Sequence, residues 1–399
     1  AIFDYDAQNM KLKYDGKEDE IIKLVEAGNV TFPSNSSLVR GASSLFGIRS
    51  DWQFGKLKLQ TVISQKKSAS KSVSSEGGVQ LTPYEIDVAN YDENRHFFLS
   101  HYFQKNYEAG MKTLPNVMTG VAIIRIEIWV TNTSGTTANT RNLVALTDIG
   151  EHDNISNSMW TPGFTVNPSN DANDEYAAMA TTYSGARDIN NTSTVLDAIP
   201  GFEGGVDYEK LEKARLLSSS EYSVNTALGY VTLNAGLRTD HVLAVAYEYT
   251  LGGVTYQVGE FSSDMKEVSQ ALFVKSLKNT SNNPRQGNWR LMMKNVYKIS
   301  SRLNKEKFRL DVKFQSDTAG VYLSYIPEPQ VKAEKLIKFL GADRLDNNNR
   351  PHPNGYFDYV EGYTVRNGCV FLPSAEPFGR YIYDNIVAKG VEPKVAAKY

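Results

Sequence analysis

Residues 343–361, DRLDNNNRPHPNGYFDYVE, hold the densest set of oxygen donors in the chain. Calcium takes six to eight oxygens from Asp, Asn and backbone carbonyls around a Gly-containing turn. Asp343, Asp346, Asn348 and Asp358 are the calcium candidates here, with Asn347, Asn349, Asn354 and Glu361 beside them. The spacing departs from a helix–loop–helix calcium site, because counting back from Gly355 puts Arg350 at the first ligand position. The competing reading is a rigid connector. Asn side chains would bond backbone N–H groups in turns, and Pro351 and Pro353 would remove donors that otherwise need partners. The connector is the preferred reading, with a strand resuming over residues 356–365.

Other reactive constellations are sparse. The chain has five histidines and a single cysteine, Cys369, inside the apolar run Cys369–Val370–Phe371–Leu372. One thiol permits no intrachain disulfide and no multi-cysteine cluster, and an apolar strand suits core filling better than nucleophilic attack. Serine nucleophile elbows, paired metalloprotease histidines and phosphate-cradling glycine loops are not found in the sequence. The Ser-x-x-Lys matches at Ser64/Lys67 and Ser68/Lys71 fall in a Ser/Lys/Gly-rich link over residues 64–78, where nothing rigid would hold a base beside the serine. The reading is therefore of a protein that is not an enzyme, needs no cofactor and has no metal site beyond the calcium alternative. Trp160, in a long polar segment, is the candidate for stacking on a sugar, whereas Trp129 and Trp289 sit in strand-like patterns. A glycosidase would need two facing carboxylates, which spacing alone does not reveal.

The elements that would position these residues are mostly strands. Over residues 44–64, Phe46, Ile48, Ser50, Trp52 and Phe54 alternate up to Gly55, and Leu57, Leu59, Thr61 and Ile63 alternate after it. That predicts a long hairpin, of a length that suits either a soluble sheet or an outer-membrane barrel. Residues 120–132 predict a strand with Ile124, Ile126, Ile128 and Val130 on one face, pairing with a second strand over 142–151. Residues 222–262 predict a four-stranded meander, and Asn367–Gly368 a tight turn with positive φ. Helices are expected over 17–29, 94–110, 207–217 and 332–341, and surface loop over 152–203. The fold class is mainly β with a few helices (α+β), in β-sandwich-like modules with long antiparallel hairpins. Three segments are expected: 1–80, helix, hairpin and linker; 81–290, a sandwich-like module; and 291–399, a β-rich stretch with the Asn/Pro loop.

A formal net charge of −2 gives no electrostatic reason to expect nucleic acid. The start AIFDYDAQNM lacks a signal peptide's basic and apolar regions, which fits a cytosolic chain or a piece of an exported one. The 23 tyrosines and Thr/Ser alternation lean to export. So does SDTAG (316–320), which resembles an O-glycosylation acceptor of exported bacterial proteins centred on Thr318.

Longer blocks carry a more specific resemblance. YDENRHFFLSHYFQKNYE (91–108), residues 125–151, 225–250 and 253–262, 296–328, and 343–365 together resemble the SprA/Sov family. That family is the outer-membrane translocon of the type IX secretion system and gliding motility machinery. The resemblance implies a segment from the N-terminal part of a much longer protein, possessing a very large outer-membrane β-barrel. It implies an outer-membrane or cell-surface location, and a mechanical role in shaping or capping a conduit for folded cargo. The partners it implies are other secretion-system outer-membrane subunits, among them a lipid-facing shuttle and a plug, and exported cargo proteins. The alternative is a cell-surface β-sandwich module that binds glycan or protein.

Overall fold

The computed structural model describes residues 11–17, 20–30, 45–55, 57–65, 74–76, 79–81, 84–301, 303–306, 308–316 and 321–399. Thr318 and most of the 64–78 link lie outside these residues. The chain is mainly β with a few short helices, and it divides into two compact units, Ala1–Glu85 and Ile86–Tyr399.

In the first unit, β1 (Lys11–Asp15), β2 (Ile22–Val30), β3 (Leu45–Phe54) and β4 (Leu57–Gln65) form an antiparallel sheet in sequence order. The hairpin of β3 and β4 turns at Gly55, as its alternation predicts. The helix expected over 17–29 is instead β2. The apolar residues Ile21, Ile22, Leu24 and Val25 are spaced as in a helix because a bulge between Ile22 and Leu24 breaks the strand's alternation, and the ladders to β1 and β3 supply the partners that make it a strand. Two further short strands, β5 (Ser74–Glu76) and β6 (Val79–Leu81), pair with each other.

The second unit is organised by β7 (His96–Phe98), α1 (His101–Met111), β8 (Val121–Val130), β9 (Thr140–Leu146), α2 (Glu175–Ala180), α3 (Thr192–Leu196) and β10 (Tyr208–Leu216). It continues through β11 (Tyr222–Asn225), β12 (Tyr230–Leu233), β13 (Leu243–Leu251), β14 (Val254–Val258) and β15 (Leu272–Lys278). The main sheet has the order β14-β13-β15-β9-β10-β8, and β8 also pairs with β13, so the sheet curls back on itself. Trp129, Leu143, Ala145, Leu211, Ala214, Ala244, Ala246, Leu272 and Val274 fill the inside of the curl. The alanines leave room for Trp129 and Phe261 there.

Two further cores pack against the outer faces of the curl. One face packs Ile128, Val130, Leu243, Val245 and Tyr247 against α1 and the sheet β11-β12-β7, a sandwich-like layer. Helix α1 turns Phe103, Tyr107 and Met111, four residues apart, into that layer. The other face packs Val144, Leu146, Tyr208 and Phe273 under Trp160, Met179, Leu196 and Phe202. The segment 152–203, expected as surface loop, therefore covers a core with α2 and α3.

Several expected elements change identity for local reasons. Residues 94–110 split into β7, whose Phe97 and Phe98 pair with β12, and α1. Residues 207–217 are the strand β10, between β9 and β8. Tyr208 faces the outer core, whereas Leu211 and Ala214 face the curl, and a bulge with Lys213 at φ 49° separates the last two. A strand buried on both faces and bulged once buries every third residue, which imitates a helix. Strands β8 and β9 do not pair; β9 lies between β10 and a parallel β15. The 222–262 meander is divided, with β11 and β12 in the three-stranded sheet and β13 and β14 in the curled one. Ile124 is the bulged residue of β8, so it is exposed, and Ile123 takes the core place expected for it.

The chain then runs through β16 (Val296–Lys298), β17 (Phe314–Gln315), β18 (Tyr322–Leu323), α4 (Leu336–Phe339), β19 (Val365–Arg366), β20 (Cys369–Phe371), α5 (Arg380–Ala388) and α6 (Pro393–Ala396). The helix expected over 332–341 shrinks to α4, with Gly341 at φ 69° beyond its end. Residues 356–362 form no strand. Met292, Val296, Val360 and Phe371 enter the same core as Phe97 and Tyr230, so residues before and after 290 share one interior. Among the described residues no helix is long and apolar enough to cross a membrane.

Candidate functional site

The loop 343–361 folds around its own carboxylates. Asp343 accepts the backbone N–H of Asn354 (2.9 Å) and Gly355 (3.0 Å), and Asp358 accepts those of Arg344 (2.7 Å) and Leu345 (3.0 Å). Asp346 Oδ1 accepts from Asn348 (2.8 Å) and Arg350 (2.9 Å). These N–H groups put partial positive charge against the oxygens that a calcium ion would use. Asn348 serves as a backbone donor there. Asn349 (φ 57°) and Gly355 (φ 84°) supply left-handed turns. Burial, reinforced by nearby Asp343, outweighs those donors and raises Asp358 to about 6. The arrangement supports the connector.

Trp160 is buried, 7% exposed, with its ring edge-to-face on Phe202 at 5.7 Å between centroids. It offers no exposed face for a sugar, because the segment that carries it covers a hydrophobic core. Trp129 is fully buried inside the curl.

Residues distant in sequence meet where periodicity gave no signal. Glu151 is buried, with Oε1 2.9 Å from Lys275 Nζ and 3.1 Å from His101 Nδ1. The His101 backbone N–H also donates to it (3.2 Å), and Lys275 donates to the Thr147 carbonyl (2.6 Å). Burial pushes Glu151 upward, but the Lys275 ammonium and His101 prevail and hold it at about 2. Close by, Glu175 is buried with neither carboxyl oxygen hydrogen-bonded; burial first, then Asp148, keeps it well above the carboxylate range. Cys369 is buried on β20, and burial raises its thiol to about 11, which removes it as a nucleophile at neutral pH.

The arrangement with the clearest physical demand on its surroundings is the four-stranded sheet of the first unit. Register puts Tyr14, Val25, Ile48, Trp52, Phe54, Leu57, Leu59 and Ile63 on one face. Lys13, Glu26, Arg49, Asp51, Lys58 and Gln60 occupy the other. On the apolar face, Ile48 is 52%, Leu57 66% and Ile63 77% exposed. Leaving several large aliphatic groups in water forgoes on the order of 1.5–3 kcal/mol each. On the polar face, Arg49 pairs with Asp51 (2.7 Å) and Gln60 donates to Asp51 (2.9 Å). Trp52 and Phe54 stack near the turn, their ring planes 3° apart and their centroids at 6.5 Å, and the Trp52 indole N–H donates to Ser50 (2.9 Å). Strands β2, β3 and β4 have nine, ten and nine residues. Among the described residues, β1 and β4 each pair on one side only.

Fold and site together define a β-rich protein whose leading sheet has a water-compatible face and a face that calls for an apolar covering. Residues 1–249 match the family model SprA_N, described as "Motility related/secretion protein", and the chain belongs to that family. Its role is accordingly motility- or secretion-related. No curated protein matches the chain.

Proposed function

We propose that this chain is a non-enzymatic segment of an outer-membrane protein-export channel, the translocon of type IX secretion and gliding motility. The two-faced sheet carries the proposal. Strands of about 9–11 residues with a largely apolar and a largely polar face, and aromatic residues near one end, are what a lipid-facing barrel wall needs. A hydrocarbon covering would supply the environment that Ile48, Leu57 and Ile63 lack in water. Strands with one open side would find partners in further strands of a wide barrel, which satisfies the backbone groups that lipid cannot.

In this reading β1–β4 belong to the wall, with the Arg49–Asp51 side towards the conduit. The unit 86–399 is a folded module that shapes or caps the path of cargo. Its partners are other secretion-system outer-membrane subunits and exported cargo proteins, at the outer membrane or cell surface. The absence of a phosphate-binding loop from the sequence is consistent with export energy coming from another component.

Placing arginine on either face tests this in cells that make the intact protein. Ile63→Arg puts a charge on the proposed lipid face, where it costs about 2–4 kcal/mol at the bilayer midplane. Gln60→Arg puts the same charge on the polar face. The expected result is loss of assembled outer-membrane protein and of surface cargo for Ile63→Arg, with near-normal levels for Gln60→Arg. Equal tolerance of both substitutions would refute the wall assignment.

A further inference from the structure

Three potential metal ligands meet in the second unit. Asp92 precedes β7, His96 opens β7, and Cys369 opens β20. Asp92 Oδ2 lies 2.9 Å from His96 Nε2 and 3.8 Å from Cys369 Sγ, and the three ligand atoms all lie within 4.8 Å of one another. His96 and Cys369 are buried, and Asp92 is partly buried. The cluster is also held in place. The Asp92 backbone N–H donates to the Val296 carbonyl (2.8 Å), and the Phe371 ring stands edge-on to the His96 ring at 5.3 Å. His96 Nδ1 is 2.9 Å from Thr232 Oγ1, the cross-strand partner position on β12.

We propose that Asp92, His96 and Cys369 bind one zinc(II) ion. Zinc takes imidazole nitrogen and carboxylate oxygen at about 2.0–2.2 Å and thiolate sulfur at about 2.3 Å, in a tetrahedral array. Tetrahedral geometry at those lengths separates ligand atoms by roughly 3.3–3.7 Å, and the 2.9 and 3.8 Å separations here bracket that range. Spreading the Asp92–His96 pair and bringing His96 and Cys369, which lie within 4.8 Å, towards each other forms the site, and a water supplies the fourth ligand.

The mixed nitrogen, sulfur and oxygen set favours a borderline-soft cation over calcium or magnesium. A thiolate and a carboxylate together match the charge of the dication. Binding releases the Cys369 thiol proton to solvent. His96 presents the Nε2 lone pair to the metal, and its Nδ1–H donates to Thr232 Oγ1, the outer hydrogen bond that metal-bound histidines ordinarily make. Arg95, whose guanidinium is 3.5 Å from Asp92 Oδ2, gives up its share of that oxygen.

Cobalt(II), added alone to the chelator-treated full chain, is the probe. The wild-type chain is expected to bind one cobalt, with a sulfur-to-cobalt charge-transfer band and the visible bands of a tetrahedral site, and zinc(II) is expected to displace it. Cys369→Ser should lose the charge-transfer band, while Thr232→Val should keep it and bind about tenfold more weakly or worse. The exposed-loop variant His352→Ala should match wild type. Circular dichroism of each variant separates loss of metal from loss of fold, and Cys369→Ala stands in should the serine variant misfold. A wild-type chain without the sulfur band, or one whose band survives in Cys369→Ser, would overturn the proposal.

Discussion

Glu151 shows what a single residue contributes where the sequence is silent. Its partners His101 and Lys275 lie 50 and 124 positions away, so no spacing rule joins them, yet they form a buried ionic centre beneath α1. Removing one member of a buried pair leaves the other charge uncompensated, at about 3–5 kcal/mol. Glu151→Gln should therefore lower stability by about that amount at pH 7, as read by denaturant unfolding. The sign of the pH dependence follows from a folded-state value held at about 2 against an ordinary value of 4.5. The Glu151 contribution is complete above pH 4.5 and is lost as pH falls toward 2, so the variant's deficit should narrow over that window. A deficit constant from pH 7 to pH 3 would contradict the ionic role. The loop at 343–361 was more legible, because Asn, Asp, Gly and Pro act on their own backbone within a few residues. Its turn chemistry could be read locally, whereas the burial of Asp343 and Asp358 depends on distant packing. The burial of Trp160 is not legible locally for the same reason, since its exposure is decided by Phe202 and not by its polar neighbours in sequence.

Elements were legible where apolar and polar residues alternate. The β3–β4 hairpin alternates over most of its length, and β8 does so from Arg125 onward, past its bulge at Ile124, so both were legible from alternation. Strand β10 was not, since burial on both faces and the bulge at Lys213 erase that period. Turns are the most local signal, and two glycines separate backbone geometry from packing. Gly355 sits at φ 84°, and a Cβ there would meet only the flexible Lys335 amine at 3.7 Å, so strain alone acts. Gly229, at φ 66°, would drive a Cβ to 2.3 Å from the Phe103 ring of α1. Gly355→Ala should cost about 1–2 kcal/mol from the left-handed backbone. Gly229→Ala adds overpacking of about 1–3 kcal/mol to that strain. Thermal unfolding of both variants should give the clearly larger loss at Gly229; equal losses would mean that the turn does not bear on α1 as described.

At the scale of the whole molecule, the chain is a two-faced sheet and a separate folded unit in one motility- or secretion-related protein. The family was legible because long colinear blocks survive as text, and the first 249 residues bear it out. The curled sheet was not legible, because the return of β13 to β8 joins strands more than a hundred residues apart. The central claim is that β3 and β4 face hydrocarbon on one side and water on the other. It is tested most directly by placing single nitroxide labels at successive positions from Leu57 to Ile63 in the intact protein reconstituted in bilayers. Cys369, being buried, should compete poorly for the label. Accessibility to oxygen, which concentrates in lipid, and to a water-soluble nickel chelate should alternate with period two. Oxygen should be high at 57, 59, 61 and 63, and nickel high at 58, 60 and 62. Uniform access to the nickel chelate along the strand, or an alternation of the opposite phase, would contradict the account.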